Sequence, residues 1–242
     1  MKKTSLTIIV TAYNEEKTIA ETVADTIKAL KKYKADYEII AVNDCSVDRT
    51  GKILNTLARK DRRLRIVHNR VNKNIGYNMR LGVSLAKKEF CMVFVNGDGP
   101  PTQDSFSKLF SAIGKKELVL GYSLNYGNRH WFRRFLSLAF AKILNFLFGF
   151  NIRYYNGPVI LKTEVWKTIP MTIDNFAYMA EVTTTLLKRG VTYLEVPVVF
   201  SIPEQKGLNM VMLRRNIFGV ATTLASLFWR INIKKQLYAK AV

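Results

Sequence analysis

Across the first hundred residues, short apolar runs alternate with amphipathic stretches. Leu6-Thr7-Ile8-Ile9-Val10 is a β-branched run of the kind that packs well in a sheet. It gives way to the polar segment Thr11-Ala12-Tyr13-Asn14. From about Glu15 to Tyr33, apolar Ile19, Val23, Ile27 and Leu30 recur every three or four positions, which predicts a helix. Tyr37 to Val42 predicts a second strand, ending at Asn43-Asp44-Cys45-Ser46, and Asp48-Arg49-Thr50 opens a second helix through Leu57. Leu64 to Val67 predicts a third strand, and residues from about Gly76 to Ala86 a third helix. Phe90 to Val95, apolar at nearly every position, predicts a strand buried on both faces. The alternation of strand and helix predicts an α/β fold, a mostly parallel sheet with right-handed crossovers.

The pattern changes after the fourth strand. Trp131 to Phe150 is dominated by Phe, Leu, Ile and Ala, and is interrupted by Arg133, Arg134, Lys142 and Asn145. A membrane-spanning helix needs about 20 mostly apolar residues with few charges, so the cations argue against a span. A wide apolar face with a basic edge suits a helix lying in a membrane interface, and it also suits a core helix. Ile217 to Trp229, flanked by Arg214, Arg215 and Arg230, is too short to span and carries the same two readings. No internal repeat or low-complexity linker divides the chain. The expected organisation is one catalytic domain over residues 1–215, including the amphipathic segment 129–150, and a C-terminal amphipathic, basic helical extension over 216–242.

Composition and charge narrow the field. With 242 residues, 48% hydrophobic and 23% charged, the chain excludes disorder, a collagen-like fibre and a disulfide scaffold. Its two cysteines, Cys45 and Cys91, fit a reduced, cytoplasmic setting. Lys2 and Lys3 lead into a short strand-like run, so no signal peptide is expected. The net charge is +20, and residues 105–242 carry 19 basic against 6 acidic side chains. Such a field favours an anionic partner: a nucleotide, an acidic membrane surface or a nucleic acid. The cations interleave with long aliphatic runs rather than with aromatic stacking platforms, so no nucleic acid is expected. His68 and His130 are isolated and no zinc site can be read. No phosphate-binding glycine motif follows a predicted strand, and no Ser-His-Asp order stands out.

In parallel sheets ligands sit beyond the carboxyl ends of the strands. The three segments placed there, Ala12 to Glu16, Asn43 to Asp48 and Asn96 to Asp104, all carry Asn or acidic side chains. Four segments in fixed order carry a resemblance: Thr11-Ala12-Tyr13-Asn14-Glu15-Glu16, Asn43-Asp44-Cys45-Ser46-Val47-Asp48-Arg49-Thr50, Asn74-Ile75-Gly76 with Gly82, and Asn96-Gly97-Asp98. Together they resemble the family 2 glycosyltransferases, inverting enzymes of the GT-A (Rossmann-like) fold. Within that family the chain is most similar to the dolichol-phosphate mannose synthase and polyprenyl-phosphate sugar transferase group. The resemblance continues to about residue 215 through Tyr154-Tyr155-Asn156-Gly157, Phe176 to Glu181 and Glu195-Val196-Pro197-Val198.

The resemblance implies a set of roles. Ala12, Tyr13, Glu15, Asp44, Asn74 and Gly76 would bind a GDP- or UDP-linked sugar, with Glu15 accepting a ribose hydroxyl. Glu15 and Glu16 also read as favourable acidic residues at a helix start, and Asp48 as a cap of the second helix. Asp98 would be both catalytic and the ligand of Mg²⁺ or Mn²⁺, neutralising the diphosphate as the sugar leaves. The family usually carries two acidic residues there. This chain has Asn96-Gly97-Asp98-Gly99-Pro100, leaving Asp104 as a second acidic group that also reads as the cap of the next helix. In the motif Asp-Asp-Gly-Ser, this chain has Asn43 for the first Asp and Cys45 for Gly.

The acceptor is read from charge. A hydroxyl acceptor needs a carboxylate base, and Glu181 stands where the family often has an acidic residue facing the acceptor. A polyprenyl phosphate is already anionic near neutral pH and needs positioning instead. Arg133, Arg134, Arg153, Lys206 and Arg214 are the candidate acceptor-phosphate and membrane contacts. The resulting expectation is sugar transfer to a dolichyl- or undecaprenyl-type phosphate by an enzyme held peripherally at the cytoplasmic face of the membrane. The alternatives are transfer to a glycan or protein hydroxyl, and a non-catalytic nucleotide- or nucleic-acid-binding relative.

Overall fold

The computed structural model describes residues 4–96, 99–124, 131–169, 171–175, 177–201 and 222–234. Strands β1 (Ser5–Ala12), β2 (Asp36–Asn43), β3 (Leu64–His68) and β4 (Phe90–Asn96) alternate with helices α1 (Ile19–Lys32), α2 (Thr50–Lys60) and α3 (Asn74–Leu85). Then follow α4 (Gln103–Ser111), β5 (Leu118–Ser123), α5 (Trp131–Phe148), β6 (Val159–Lys162), α6 (Thr163–Lys167), α7 (Tyr178–Lys188) and β7 (Tyr193–Val198). All seven strands form one sheet in the order β3-β2-β1-β4-β6-β5-β7. The neighbours β3, β2, β1 and β4 run parallel, β6 is antiparallel to β4 and β5, and β7 is parallel to β5. The expected mostly parallel α/β sheet is therefore present.

Side-chain alternation along each strand feeds two separate cores. On β1, Leu6, Ile8 and Val10 pack against α1, α2 and α4, while Ile9 points to the opposite face. Strand β2 divides in the same way, Ile39 and Ala41 to one core and Ile40 and Val42 to the other. Strand β4 places Met92 on the first face and Cys91 and Val93 on the second. The second core takes α3, the inner face of α5, and the buried Tyr178, Met179 and Val182 of α7. Helices α1 and α2 thus lie on one face and α3 on the other. Since crossovers are right-handed, the chain must change direction in the sheet after β3. It does: β4 pairs with β1 on the side away from β2. The switch between β1 and β4 opens a crevice at their carboxyl ends, where ligands bind in open α/β sheets.

Several expected boundaries shift for local reasons. Helix α1 begins at Ile19 rather than near Glu15. Asn14 adopts a left-handed φ of 55°, and the amides of Glu15 and Glu16 are taken by side chains of the loop after β2 rather than by a helical turn. The cap of α4 is Thr102, whose hydroxyl accepts from the Ser105 amide, and not Asp104. Asp104 instead pairs with Lys108 one turn on. Asn145 is not a surface break in an amphipathic helix. Its amide group binds both the N–H and the C=O of Ile152 at 3.0 and 2.9 Å and accepts from the Tyr155 hydroxyl at 2.9 Å, fixing the return into β6.

Helix α5 follows the carboxyl end of β5 and precedes the start of β6, which, being antiparallel to β4, begins at that same edge of the sheet. The helix therefore belongs to the crevice end of the molecule. It buries Ala141, Leu144 and Phe148, and exposes Trp131, Phe135, Leu138 and Phe146. Residues 222–228 are helical and pass into a π-helical turn, Trp229–Ile233. Leu227 and Ile231 enter the second core, and the Asn232 side chain donates to the carbonyl of Leu147. Among the described residues no helix is long and apolar enough to cross a membrane.

The two backbones at the β5–β6 junction approach closely at Gly157, where a Cβ would collide with the Gly121 carbonyl. Gly157→Ala is expected to lower the unfolding free energy by about 1–3 kcal/mol, as overpacking of a close contact does, measured by urea denaturation.

Candidate active site

The crevice is walled first by the segment after β1. Ala12, the last residue of β1, is buried and its carbonyl accepts from the Asp44 amide at 2.9 Å. Tyr13 projects outward, 48% exposed. The segment is clasped to the loop after β2 by reciprocal bonds. The Asn14 amide donates to the Ser46 hydroxyl and the Val47 amide to the Asn14 side chain. The amides of Glu15 and Glu16 donate to Thr50 Oγ1 at 2.8 Å and Asp48 Oδ2 at 3.1 Å. Glu16 in turn accepts from the amide and the guanidinium of Arg49 at 3.0 and 3.1 Å. These bonds from Arg49 hold the Glu16 carboxyl below its usual range. For Asp48, partial burial pushes the pKa up, but donation from Thr50 and the Glu16 amide outweighs it and the net shift is downward.

Asp44 is buried at 3% exposure, and its carboxylate is turned toward the loop that starts α3. One oxygen accepts from the Lys73 amide and the Asn69 side chain, each at 2.8 Å, and the other from the Asn74 amide at 3.0 Å. Asp44 thus caps α3 from another strand, satisfying amides that a helix start leaves without partners. Asn74 has φ +65° and is exposed. Gly76 is buried where its amide donates to the Asp174 carbonyl at 2.9 Å and a Cβ would collide with the Ile173 carbonyl.

Glu181 sits in the first turn of α7 with no exposed surface. Its Oε2 accepts from the amides of Thr172 and Ile173 at 2.9 and 3.1 Å. Its Oε1 accepts from the Thr172 hydroxyl and from Arg230 Nη2, both at 2.7 Å. The segment 171–175 held in this way also meets α3, where Arg80 donates to the Met171 carbonyl and pairs with Asp174 at 3.0 Å. The geometry therefore brings Ala12, Tyr13, Glu15, Asp44, Asn74 and Gly76 to one end of the sheet, with Glu181 behind the segment that packs on Gly76.

The cations expected at the acceptor are spread more widely. Arg134 is exposed on α5, and Arg133 lies beside it on the same helix. Arg153 donates from its amide to Glu195 at 2.8 Å and from its guanidinium to the Tyr122 hydroxyl at 2.8 Å, with the guanidinium 4.8 Å from the Tyr122 ring centre. Asp98, Lys206 and Arg214 lie outside the described residues. Thr11 pairs with Asn96, which sets the end of β4 directly beside that of β1. Among the described residues no three His, Cys, Asp or Glu side chains gather as a metal cluster would.

Arg80, Thr172 and Arg230 were not singled out from the sequence as site residues. Arg80 had a readable signal, a cation one turn after Gly76 on the same helix. Thr172 and Arg230 had none, because what makes them matter is contact with Glu181, nine residues from Thr172 across an irregular segment and 49 from Arg230.

Two predictions follow from the clasp. Cys45 stands at φ +61°, where the family motif has Gly. Cys45→Gly relieves about 1–2 kcal/mol of left-handed strain against about 0.5–1 kcal/mol of added chain entropy in the unfolded state, so a small net gain in thermal stability is expected. The lowered carboxyls of Glu16 and Asp48 contribute stability above the ordinary carboxylate pKa and lose it as pH falls through their depressed values. Amide exchange at Glu16, Arg49 and Thr50 is expected to lose protection below about pH 4, ahead of the β1 and β2 amides.

Comparison with known proteins bears on the whole of this region. Over 154 residues the chain is 29% identical to a dolichyl-phosphate beta-glucosyltransferase of Trichomonas vaginalis, covering 57% of this chain and 45% of that protein. It is 26% identical over 131 residues to the undecaprenyl-phosphate 4-deoxy-4-formamido-L-arabinose transferase of Edwardsiella ictaluri, covering 53% and 40% respectively. The chain thus spans less than half the length of these curated relatives. Among solved structures, glucosyl-3-phosphoglycerate synthase from Mycobacterium tuberculosis, in complex with Mn²⁺, UDP and glucosyl-3-phosphoglycerate, superposes with a TM-score of 0.71. At 17% identity over 93% of this chain and 80% of that one, it shares the fold. The family model for glycosyl transferase family 2 matches residues 7–180, which hold six of the seven strands and the segments after β1, β2 and β4, and the chain belongs to that family.

Proposed function

We propose that this chain transfers a sugar, with inversion, from a nucleoside-diphosphate sugar to a polyprenyl phosphate, at the cytoplasmic face of a membrane. The observation that carries the proposal is the placement of α5 at the crevice end of the sheet. An exposed apolar row of Trp131, Phe135, Leu138 and Phe146, with exposed Lys142 set within it and exposed Arg134 beside it, lies on the helix that joins β5 to β6 at the carboxyl edge of the sheet. A lipid acceptor needs that combination: a surface that holds the enzyme against the bilayer and a donor site that opens beside it.

In this reading the donor lies across the ends of β1 and β4. Tyr13 and Glu15 receive the nucleoside, and Ala12 offers the close backbone approach at its base. Asp44 acts through the backbone it fixes, holding Asn74 and Gly76 at the start of α3 against the donor. A divalent cation suits the hard oxygen donor of Asp98, and when bound it neutralises charge on the diphosphate leaving group. Arg133, Arg134, Arg153, Lys206 and Arg214 supply cations for the acceptor phosphate and anionic head groups.

The state of Glu181 favours a phosphate acceptor over a hydroxyl. Both of its oxygens already accept bonds from Thr172, Ile173 and Arg230. A general base must instead reach the proton it removes. A phosphate nucleophile carries its charge already and requires no such base. Membrane attachment follows from the same apolar row together with Trp229 and Ile233, 57% and 53% exposed, and from a net charge of +20 that complements an acidic lipid surface.

The test offers purified protein a panel of nucleoside-diphosphate sugars with polyprenyl phosphate and Mg²⁺ or Mn²⁺, and follows lipid products by mass spectrometry. Wild type is expected to form a glycosyl-phosphoryl lipid with one donor. Asp98→Ala is expected to lose about 100-fold or more in rate, the scale of one electrostatic contact to a transition state. Absence of product with every donor, from folded protein, overturns the assignment of acceptor. Sedimentation with anionic vesicles checks attachment: Phe135→Ala with Phe146→Ala is expected to reduce the bound fraction several-fold.

A further inference from the structure

The Glu181 carboxylate and the Arg230 guanidinium form an ion pair in which the acid has no exposed surface and the base is 15% exposed. Charges taken out of water are stable only when their remaining bonding capacity is met. For the carboxylate it is met by the Thr172 hydroxyl, which donates to Glu181 and also accepts from Arg230 Nη1 at 3.2 Å, and by the amides of Thr172 and Ile173, while the Arg230 Nε is buried without a hydrogen-bond partner among the described residues. Arg230 comes from the π-helical turn, whose i-to-i+5 bond joins the Lys234 amide to the Trp229 carbonyl at 2.9 Å. Such turns add a residue to the helical repeat and re-aim the side chains they carry. In this one, Arg230 and Ile231 point inward while Trp229 and Ile233 point to solvent. Seven residues before Arg230, in the helical stretch 222–228 that leads into the turn, Thr223 accepts from the Asn175 side chain at 3.2 Å.

The segment 171–175 is thus gripped from two sides. One side is α3, through Gly76 and Arg80. The other is the C-terminal turn, through Arg230. Building on the function proposed above, we infer that Arg230 is a positioning residue that makes this wall of the crevice depend on how the C-terminal turn is seated. Trp229 and Ile233, adjacent to it in the turn, are the exposed apolar side chains that meet the bilayer. Docking of the turn on an anionic lipid surface therefore tightens the 171–175 wall through Arg230, and the enzyme works best when attached. The guanidinium does not touch donor or acceptor. Its effect passes through Glu181, Thr172 and the backbone of 173–174 to the start of α3.

The experiment compares wild type, Arg230→Lys, Arg230→Met and the charge-neutral pair Arg230→Met with Glu181→Gln, all as the full chain. Hydrogen exchange of residues 171–175 is measured with and without vesicles of anionic phospholipid, and nucleoside-diphosphate affinity by calorimetry. Steady-state transfer to polyprenyl phosphate is measured in the same vesicles. Wild type is expected to gain at least fivefold protection at 171–175 on binding vesicles, and Arg230→Met to lose that gain. Its kcat is expected to fall at least tenfold and its nucleotide affinity several-fold, because the wall ends at the start of α3, and Arg230→Lys to recover part of both. The neutral pair is expected to regain thermal stability but not kcat, which separates positioning from a mere fold brace. Full activity in the neutral pair, or vesicle-independent protection at 171–175 in wild type, overturns the inference. Failure of wild type to transfer to polyprenyl phosphate from every donor overturns the proposed function instead. The exchange measurement, which needs no turnover, still decides the role of Arg230.

Discussion

The handedness of the crossovers governs this molecule. A right-twisted strand followed by a helix returns to the sheet with one hand only, so α1 and α2 stack on one face as the chain steps from β1 to β2 to β3. To build on the other side of β1 the chain must carry α3 across to the opposite face, and β4 then pairs with β1. The reversal of strand order leaves β1 and β4 as parallel neighbours with their carboxyl ends side by side, α1 and α4 both lying on the face of the first core. The crevice opens beyond those two ends. Each wall of the site hangs from that reversal: the segment after β1, the loop after β2 that supports it, and the α3 start on the far side.

The walls are irregular backbone, and irregular backbone leaves amides that need partners. The acidic residues supply them. Asp44 takes the amides of Lys73 and Asn74, Asp48 those of Glu16 and Thr50, Glu16 that of Arg49, and Glu181 those of Thr172 and Ile173. Each carboxylate joins segments distant in sequence, so the loops are held by charge-assisted bonds rather than by apolar burial. The chemistry of the site then falls to groups that these bonds position. The same economy operates in the second half, where Asn145 fixes the return into β6 and Arg230 the approach of the C-terminal turn.

Helix α5 shows how a single element serves two surfaces. Its inner face completes the core with Ala141, Leu144 and Phe148, as a wide apolar stripe permits. Its outer face keeps Trp131, Phe135 and Phe146 in solvent beside Arg134 and Lys142. The buried inner face makes the run a core helix, and the interfacial role proposed above would use the outer face, because the run is apolar around most of its circumference.

The first four strands and three helices were legible in the sequence because burial on both faces demands continuous apolar runs, and helices packed on one side demand a period near 3.6. The order of the motif segments locates the crevice, since residues after parallel strands share one edge. Strands β5, β6 and β7 were not legible as strands: they fall outside the regular strand–helix alternation that marks the first four, and Val159–Lys162 is indistinguishable by pattern from a piece of helix. Nor could the chain alone reveal that Asp44 and Glu181 point their oxygens at backbone amides. Residue type says that a carboxylate is present. Which donors reach it depends on a loop 25 to 30 residues away along the chain for Asp44, and on a turn 49 residues away for Arg230 and Glu181. Local periodicity and strand order belong to short-range sterics and burial, and the sequence determines them by itself. The partners of each polar side chain belong to long-range packing, and only the tertiary structure decides them.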